Sequence, residues 1–231
     1  HRIRPFAALI ALVFAALAIW QLQSMRAGIE KTDFTVGTTP ATLYQQSGSE
    51  GPVAVIAHGF AGSRQFMEAI SLTLARAGYR AVAFDFLGHG RNPVPTGGDV
   101  TSIDGTTQLL IEETRAVMAA AAERTGWDGP IALVGHSMAS DIVVRTALED
   151  PGAGAVVAIS LFSLAVTPDR PERLLMVTGH WEPPLRDVAL DRLQQVNPDA
   201  VEGQTARDGE VIRRVVVAPW VEHVGVLYSP A

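Results

Sequence analysis

The chain has 231 residues, of which 48% are hydrophobic and 18% charged, and this composition excludes a disordered protein and fits one globular domain with a substantial core. Its formal net charge of -6, without a cluster of lysines and arginines, argues against a nucleic-acid-binding surface. Because the chain has no cysteine, disulfides, thiolate nucleophiles and cysteine-ligated metals are excluded.

An apolar segment near the amino end runs from Phe6 to Leu22, and no charge occurs between Arg4 and Arg26. A helix of this length reaches about 25 Å, close to the roughly 30 Å hydrocarbon core of a bilayer. No small-x-small cleavage site follows the segment, so we predict an uncleaved membrane anchor, with a signal peptide or a buried core helix as alternatives. Arg2 and Arg4 favour a cytoplasmic amino end, which places the rest of the chain on the extracytoplasmic side.

A polar stalk is predicted for residues 23–32, after the anchor. We place the boundary of the globular domain at residue 32, so that residues 1–31 form the anchor and stalk and residues 32–231 form the domain. The chain begins with His1 and stops without a closing helix. We therefore expect it to be a piece of a longer protein, with the domain truncated at its carboxyl end.

Strand and helix patterns alternate along the domain. After two short strands, the pattern at residues 53–57 is a wholly apolar run, which is typical of a strand buried on both faces of a parallel sheet. The predicted strands are residues 33–36, 42–44, 53–57, 80–84, 131–134, 155–159, 174–178 and 211–217. The predicted helices are residues 66–77, 106–124, 140–148 and 185–196. This alternation predicts an α/β fold with a mostly parallel central sheet and helices on both faces, in which ligands bind at the carboxyl ends of the strands.

Residues 135–139, GHSMA, lie between a predicted strand and a predicted helix, which is the setting of a nucleophile elbow. Such a turn exposes the serine hydroxyl and directs the following backbone N–H groups at an incoming oxyanion. The pattern makes Ser137 a candidate nucleophile. Taken alone it is weak, since a serine before a helix is commonly only a helix N-cap.

Two further residues follow the ends of other predicted strands. Glu182 comes shortly after the strand at 174–178, and His223 comes after the last strand. A serine hydroxyl is a poor nucleophile until an imidazole accepts its proton, and the imidazole needs a carboxylate to fix its tautomer. Ser137, Glu182 and His223 supply these three groups, in the chain order serine, acid, histidine that is described for α/β-hydrolases.

Four motifs make the chain similar to the α/β-hydrolase family, in particular to its serine esterases and lipases, from about residue 32 to the last residue. HGF at 58–60 resembles the oxyanion loop, DFLGHGR at 85–91 resembles an esterase-like turn, GHSM at 135–138 resembles the elbow, and the segment around His223 resembles the closing histidine loop.

The resemblance implies a role for each residue. Ser137 would attack a carbonyl carbon, His223 would shuttle the proton and Glu182 would orient His223. The oxyanion would be held by the backbone N–H groups of Met138 and Phe60. The resemblance implies no cofactor, and the scattered histidines predict no metal site.

Some positions leave alternatives open. The family elbow ends in glycine where this chain has Ala139, and we expect the turn to survive with slightly wider packing. The acid could instead be Asp187, which lies within a predicted helix, or Asp169.

The remaining histidines are expected to be structural or peripheral. His58 and His136 flank the site and are expected to pack and form hydrogen bonds rather than react. Asp85 and His89 are expected to stabilise their own loop. His180 would contact the acid or be exposed.

The sequence thus predicts a membrane-anchored serine hydrolase that cleaves a carboxylic ester or related acyl substrate through an acyl-enzyme, leaving ester, thioester and amide substrates undistinguished. The predicted partners are a small-molecule acyl substrate and, through the amino-terminal helix, a membrane. Residues 160–171 are too few for a lid, so we expect an open site that favours short or accessible acyl groups, or one covered by the membrane or by a missing part of the chain. The alternative is a non-catalytic α/β-hydrolase-like binding module of a larger membrane protein, a hypothesis motivated by Ala139 and the missing closing helix.

Overall fold

The computed structural model describes residues 3–229 of the chain. The terminal residues discussed above, His1 and Arg2, lie outside this range, as do the last two residues of the sequence.

A nine-stranded sheet forms the centre of the domain. The strands are β1 (Ile29–Val36), β2 (Thr39–Gln46), β3 (Val53–Ala57), β4 (Arg80–Phe84), β5 (Ile131–His136), β6 (Ala153–Ile159), β7 (Arg173–Gly179), β8 (Thr205–Asp208) and β9 (Val211–Ala218). Their order across the sheet is β1-β2-β4-β3-β5-β6-β7-β9-β8. The six strands from β4 to β9 in this order are parallel, and β1, β2 and β8 pair antiparallel at the two edges. The predicted α/β fold with a mostly parallel sheet is confirmed.

The helices are α1 (Ile3–Arg26), α2 (Glu68–Arg76), α3 (Gln108–Thr125), α4 (Met138–Glu149) and α5 (Pro183–Gln194). Alternate residues of β3 point to two separate apolar layers, because Val55 packs in the layer with α3, α4 and α5 and Ile56 packs in the layer with α2. Helices thus cover both faces of the sheet, as predicted, and the strands between them are mostly apolar.

Helix α1 includes one candidate membrane span within the described residues, Ala7–Arg26, with a mean hydropathy of 1.9 and none of it buried. Membrane anchors and signal sequences share this length and composition. The carboxyl end of α1 is tied to α2, where Arg26 Nη2 lies 2.7 Å from Glu68 Oε2 and Arg76 donates to Ser24 O.

The predicted stalk at residues 23–32 is wrong in its extent. Helix α1 continues to Arg26, and β1 begins at Ile29 after a short turn. Ile29 pairs with Gln46, at the edge of the sheet opposite the carboxyl ends of the parallel strands. Helix α1 and β1 are therefore joined by a short turn and not by a stalk. Residues 29–36 form a hairpin with β2, and the first part of this strand was not predicted because residues 30–33 have polar side chains.

Strand β8 was not predicted from the sequence. It is an edge strand that pairs antiparallel with β9, and only Ala206 of its four residues is buried. A strand with one buried side chain gives no apolar run, and its pairing comes from the turn at Gly209, which has a φ of 55°.

The connection between β6 and β7, residues 160–172, contains neither helix nor strand, in agreement with the predicted absence of a lid. Arg213, a fully buried residue of β9, donates to the carbonyl oxygens of Thr167 and Arg170. Its other terminal nitrogen donates to Arg192 O in the last turn of α5. The arginine thus holds the short connection and the end of α5 against the sheet.

Candidate active site

The turn between β5 and α4 holds Ser137 in a backbone conformation that side chains rarely adopt, with φ 54° and ψ -120°. Close packing requires glycine at position 135, because a Cβ there would lie 2.3 Å from Ala139 O and 2.7 Å from Val143 Cγ2. Ala139 is fully buried within this packing. The sharp turn therefore survives with alanine in place of the family glycine, as expected.

Three of the predicted site residues lie in one hydrogen-bonded row. His223 Nε2 is 2.7 Å from Ser137 Oγ, and His223 Nδ1 is 2.5 Å from Glu182 Oε1. A carboxylate only accepts hydrogen bonds, so Nδ1 carries the proton and Nε2 of the neutral ring is free to accept one from the serine hydroxyl. This is the arrangement in which an imidazole activates a serine.

Glu182 reaches His223 from the loop after β7, immediately before α5. Its side chain is 5% exposed, and its second oxygen accepts the Gly179 N–H at 2.6 Å and the Ser160 hydroxyl at 2.9 Å. The alternative acids do not contact His223: Asp187 is exposed on α5, and the exposed Asp169 accepts the Thr167 hydroxyl. Ser160, which follows β6, was not identified from the sequence because serine after a strand carries no distinctive pattern.

His136 holds the loop that carries His223. Its Nε2–H donates to the main-chain oxygen of His223 at 2.8 Å, and the two rings lie 4.9 Å apart between centroids. Burial lowers the pKa of His136, which favours the neutral ring. His136 thus packs and forms hydrogen bonds, as predicted, and fixes the backbone that carries His223.

The loop after β3 approaches Ser137 closely at Gly59. A Cβ at this position would lie 3.0 Å from Ser137 Cβ and 3.0 Å from His136 Nδ1. His58 Nδ1–H donates to Gly59 O at 2.7 Å and so fixes the following peptide plane. Because C=O and N–H point in opposite directions in a trans peptide, the Phe60 N–H is directed away from His58.

The two backbone N–H groups predicted for the oxyanion have no competing acceptor. Among residues 3–229, neither the Phe60 N–H nor the Met138 N–H donates to a protein atom. An N–H group without an internal partner needs water or a ligand as its acceptor.

His58 is fully buried and neutral over most of the pH range. Burial lowers its pKa to about 4, and its Nε2 accepts the Phe86 N–H at 3.1 Å. This acceptor role requires an unprotonated Nε2. His58 therefore links the loops after β3 and β4 by two hydrogen bonds, which agrees with its predicted structural role.

Asp85 stabilises its own loop, as predicted, and also binds a residue that the sequence did not indicate. Its carboxylate accepts the Arg91 N–H at 3.0 Å and the Arg64 N–H at 2.6 Å, and it pairs with the buried Arg64 guanidinium. His89 Nδ1 lies 2.9 Å from Leu87 O within the same loop. His180, in contrast, is exposed and stacks on Trp220 at 5.4 Å.

Glu113, on α3, is a second buried carboxylate beside these loops. It accepts the Thr39 hydroxyl, the Leu87 N–H at 2.9 Å and the Asn92 amide at 3.0 Å. Burial raises the pKa of its carboxyl group. Glu113 has no sequence signature, because it is one of three glutamates in α3 and such residues in an amphipathic helix are usually exposed.

Two cavities adjoin the elbow. One of about 150 Å³ lies beside His223, and one of about 450 Å³ lies beside Met138. Within the described chain, no group of three or more histidine, aspartate or glutamate side chains is placed to hold a metal ion. The described site thus consists of ordinary side chains, backbone N–H groups and two cavities.

Comparison with known proteins gives one family and a set of structural neighbours. The family described as serine aminopeptidase, S33, matches residues 49–226. The chain is similar to a predicted CIB-like hydrolase of Thermoplasma acidophilum, with 15% identity and a TM-score of 0.62 over 86% of this chain and 90% of the other. It is also similar to a candidate lipase of Acinetobacter baumannii AYE, with 15% identity and a TM-score of 0.61 over 90% of each chain. At these identities the likeness establishes the fold alone. No curated protein matches the sequence.

Proposed function

The chain belongs to the serine aminopeptidase S33 family of α/β-hydrolases, and from this premise we propose that it cleaves a carboxylic ester or related acyl substrate through an acyl-enzyme on Ser137. The observation that carries the proposal is the hydrogen-bonded row from Glu182 through His223 to Ser137, with distances of 2.5 and 2.7 Å. A row of this kind transfers a proton from a serine to an imidazole and stabilises the resulting positive charge.

In the first step, Ser137 Oγ bonds to the carbonyl carbon of the substrate while its proton passes to His223 Nε2. The carbonyl oxygen becomes an oxyanion, for which the Phe60 and Met138 N–H groups are the proposed donors. Both lack an internal acceptor among the described residues, which supports this role. Glu182 remains ionised and accepts a hydrogen bond from the imidazolium.

In the second step, the bond between the carbonyl carbon and the alcohol oxygen breaks, and the alcohol leaves with the proton from His223. A water molecule then gives a proton to His223 and bonds to the acyl carbon. The Ser137 oxygen leaves with that proton, which releases the carboxylic acid and restores the enzyme. The balance is ester plus water to acid plus alcohol.

An ester is favoured over an aminopeptidase substrate by the charges around the site. A free α-amino group is cationic, and a binding site for it needs an available carboxylate. Among the described residues that line the two cavities, Asp141 is the one acid, and it already pairs with Arg145 at 2.8 Å. The cavities therefore fit a neutral acyl group.

A fluorophosphonate probe tests the function, because it bonds covalently to an activated serine. We expect the intact chain to react and Ser137→Ala to be inert, with ester turnover lowered about 10⁴-fold or more. Ser140→Ala is the matched control, since the Ser140 hydroxyl is buried without a partner among residues 3–229, and it should react normally. If the intact chain does not react, or if Ser137→Ala reacts equally well, the chain is instead a binding module.

We also propose that α1 anchors the protein in a membrane, with the hydrolase domain on the extracytoplasmic side. The exposed apolar surface of Ala7–Arg26 supports the anchor. Alkaline extraction of membranes should leave the chain in the pellet, and protease added to intact cells should degrade the domain. Full protection from protease would contradict the outside location.

A further inference from the structure

The two cavities at the elbow differ in size and in the residues that line them. The smaller, about 150 Å³, has room for about five water molecules and is lined by Gly59, Phe66, Ser137, His223 and Val224, among others. The larger, about 450 Å³, lies within the usual range for small-molecule sites, and its apolar walls are Phe60, Val100, Leu110, Met138, Ile142 and Phe162. An ester bound at Ser137 has an acyl group and an alcohol group, one for each cavity.

Proton transfer assigns the two groups. The leaving alcohol must lie within hydrogen-bond distance of His223 Nε2, which protonates it. His223 lines the small cavity and does not line the large one. The acyl group lies on the other side of the reacting carbon, where Met138 lines the large cavity and not the small one, while Phe60 lies between the two and lines both. The alcohol therefore occupies the small cavity and the acyl group the large one.

The polar side chains in the large cavity are mostly occupied by the protein itself. The Thr96 hydroxyl donates to Leu87 O at 3.0 Å, and the Thr106 hydroxyl donates to Gly97 O at 2.8 Å. Asp141 pairs with Arg145 and accepts the Ser163 hydroxyl. With these groups satisfied, the cavity offers mainly hydrocarbon surface, so a hydrocarbon chain loses no hydrogen bonds there.

Exposed apolar side chains mark the mouth of the large cavity. Phe60 is 77% exposed, Val100 78% and Phe162 44%. Three large apolar side chains in water at one rim form a surface that an apolar ligand would cover. A chain that fills the cavity would also remove part of this surface from water, which favours acyl groups longer than the cavity alone requires.

We propose that the substrate is an ester of a medium-length hydrocarbon acid with a small alcohol, such as a methyl or ethyl ester. This inference rests on the proposed function and adds to it the direction in which the substrate lies. The long chain belongs to the acid and the short one to the alcohol, in contrast to the short acyl groups expected from the open site alone.

Two isomeric esters provide the test, because methyl decanoate and nonyl acetate contain the same atoms and differ only in which side carries the chain. With the full chain reconstituted in lipid nanodiscs, we expect kcat/KM for methyl decanoate to exceed that for nonyl acetate at least about tenfold. Equal values or the reverse preference would overturn the inference while leaving the function intact. Reaction of Ser137 with a fluorophosphonate but hydrolysis of neither ester would also overturn it, whereas an unreactive Ser137 would remove the proposed function itself.

A cavity variant tests the location of the acyl chain. Val100→Trp places an indole at the mouth of the large cavity, and the exposed position tolerates the larger side chain. The variant should lower kcat/KM for methyl decanoate at least about tenfold and bring the ratio of the two esters towards one. Val201→Trp is the matched control, because Val201 is 52% exposed and lines neither cavity, and it should preserve the ratio. An unchanged preference in Val100→Trp would place the acyl chain elsewhere.

Discussion

Glu182 and Glu113 are buried carboxylates in two regions of the same sheet edge, 6% and 8% exposed, and each accepts three hydrogen bonds. Glu182 accepts from His223, Gly179 and Ser160 at 2.5 to 2.9 Å. Glu113 accepts from Thr39, Leu87 and Asn92 at 2.5 to 3.0 Å. By burial and hydrogen bonding alone, the two sites are nearly equivalent.

The partners differ in whether they can change charge. His223 becomes positive when it takes a proton, so Glu182 can stabilise a charge that forms during a reaction. The three donors around Glu113 stay neutral, and burial raises the pKa of this carboxyl group. The same local geometry thus surrounds a group that can change charge in one region and holds a loop in the other.

The largest expected effect is on turnover. Glu182→Gln should lower kcat about 10³- to 10⁴-fold, because an amide group opposite Nδ1 favours the wrong imidazole tautomer. Glu113→Gln should change kcat by less than about threefold, since Glu113 contacts no reacting group. Steady-state kinetics normalised to titrated active sites measures both variants. A similar loss in the two would erase the distinction between the regions.

Stability should show the opposite order. Glu113→Leu leaves the donors of Thr39, Leu87 and Asn92 without an acceptor, and we expect a loss of about 3 kcal/mol in the free energy of unfolding. Glu182→Gln keeps an acceptor for the Gly179 N–H and should cost about 1 kcal/mol. Urea denaturation of the detergent-solubilised chain, followed by tryptophan fluorescence, gives both values. The prediction fails if Glu182→Gln is the less stable variant.

A matched pair of donors separates the regions further. Ser160→Ala removes a hydrogen bond to Glu182 and should lower kcat about tenfold with KM unchanged, because Glu182 is then held less firmly against His223. Thr39→Val removes a hydrogen bond to Glu113 and should cost about 1 kcal/mol of stability without changing kcat. An effect of Thr39→Val on kcat would connect Glu113 to the reaction.

The smallest expected effect is a change in the free energy of unfolding with pH. The raised pKa of Glu113 means that, above its ordinary value of 4.5, the folded chain binds more protons than the unfolded chain until the folded pKa is passed. Stability from this group is therefore complete below pH 4.5 and falls as the pH rises through that window. Relative to Glu113→Gln, the parent chain should lose stability over this range. Parallel pH curves for the two chains would show that Glu113 does not titrate as proposed.

The central sheet was predictable because strands such as β3 and β4 are mostly apolar runs, whose bounds the structure reproduces. The edge elements were less predictable. Strand β8 buries only one side chain, and most of the first residues of β1 are polar, so neither strand gives an apolar run. Pairing with a neighbouring strand, rather than local pattern, forms these two.

The residues of the candidate site were likewise predictable only in part. Ser137, Glu182 and His223 could be selected from residue type and from their places after strand ends, and the structure brings them together, while their catalytic roles stay predictions. The supporting residues could not be selected. His136 donates a hydrogen bond to a carbonyl oxygen 87 positions away in the chain, and Ser160 donates one to a carboxylate 22 positions away. Contacts between residues so far apart produce no pattern in the local sequence.

The position of Ile29 has a consequence for how a substrate arrives. Because β1 starts at the sheet edge opposite the strand carboxyl ends, α1 leaves the domain from the end farthest from Ser137. In the proposed membrane-anchored state, the body of the domain would stand between the lipid and the mouth of the site. The proposed substrate would then enter from the aqueous side as a dissolved molecule, and its solubility in water would limit the length of its acyl chain.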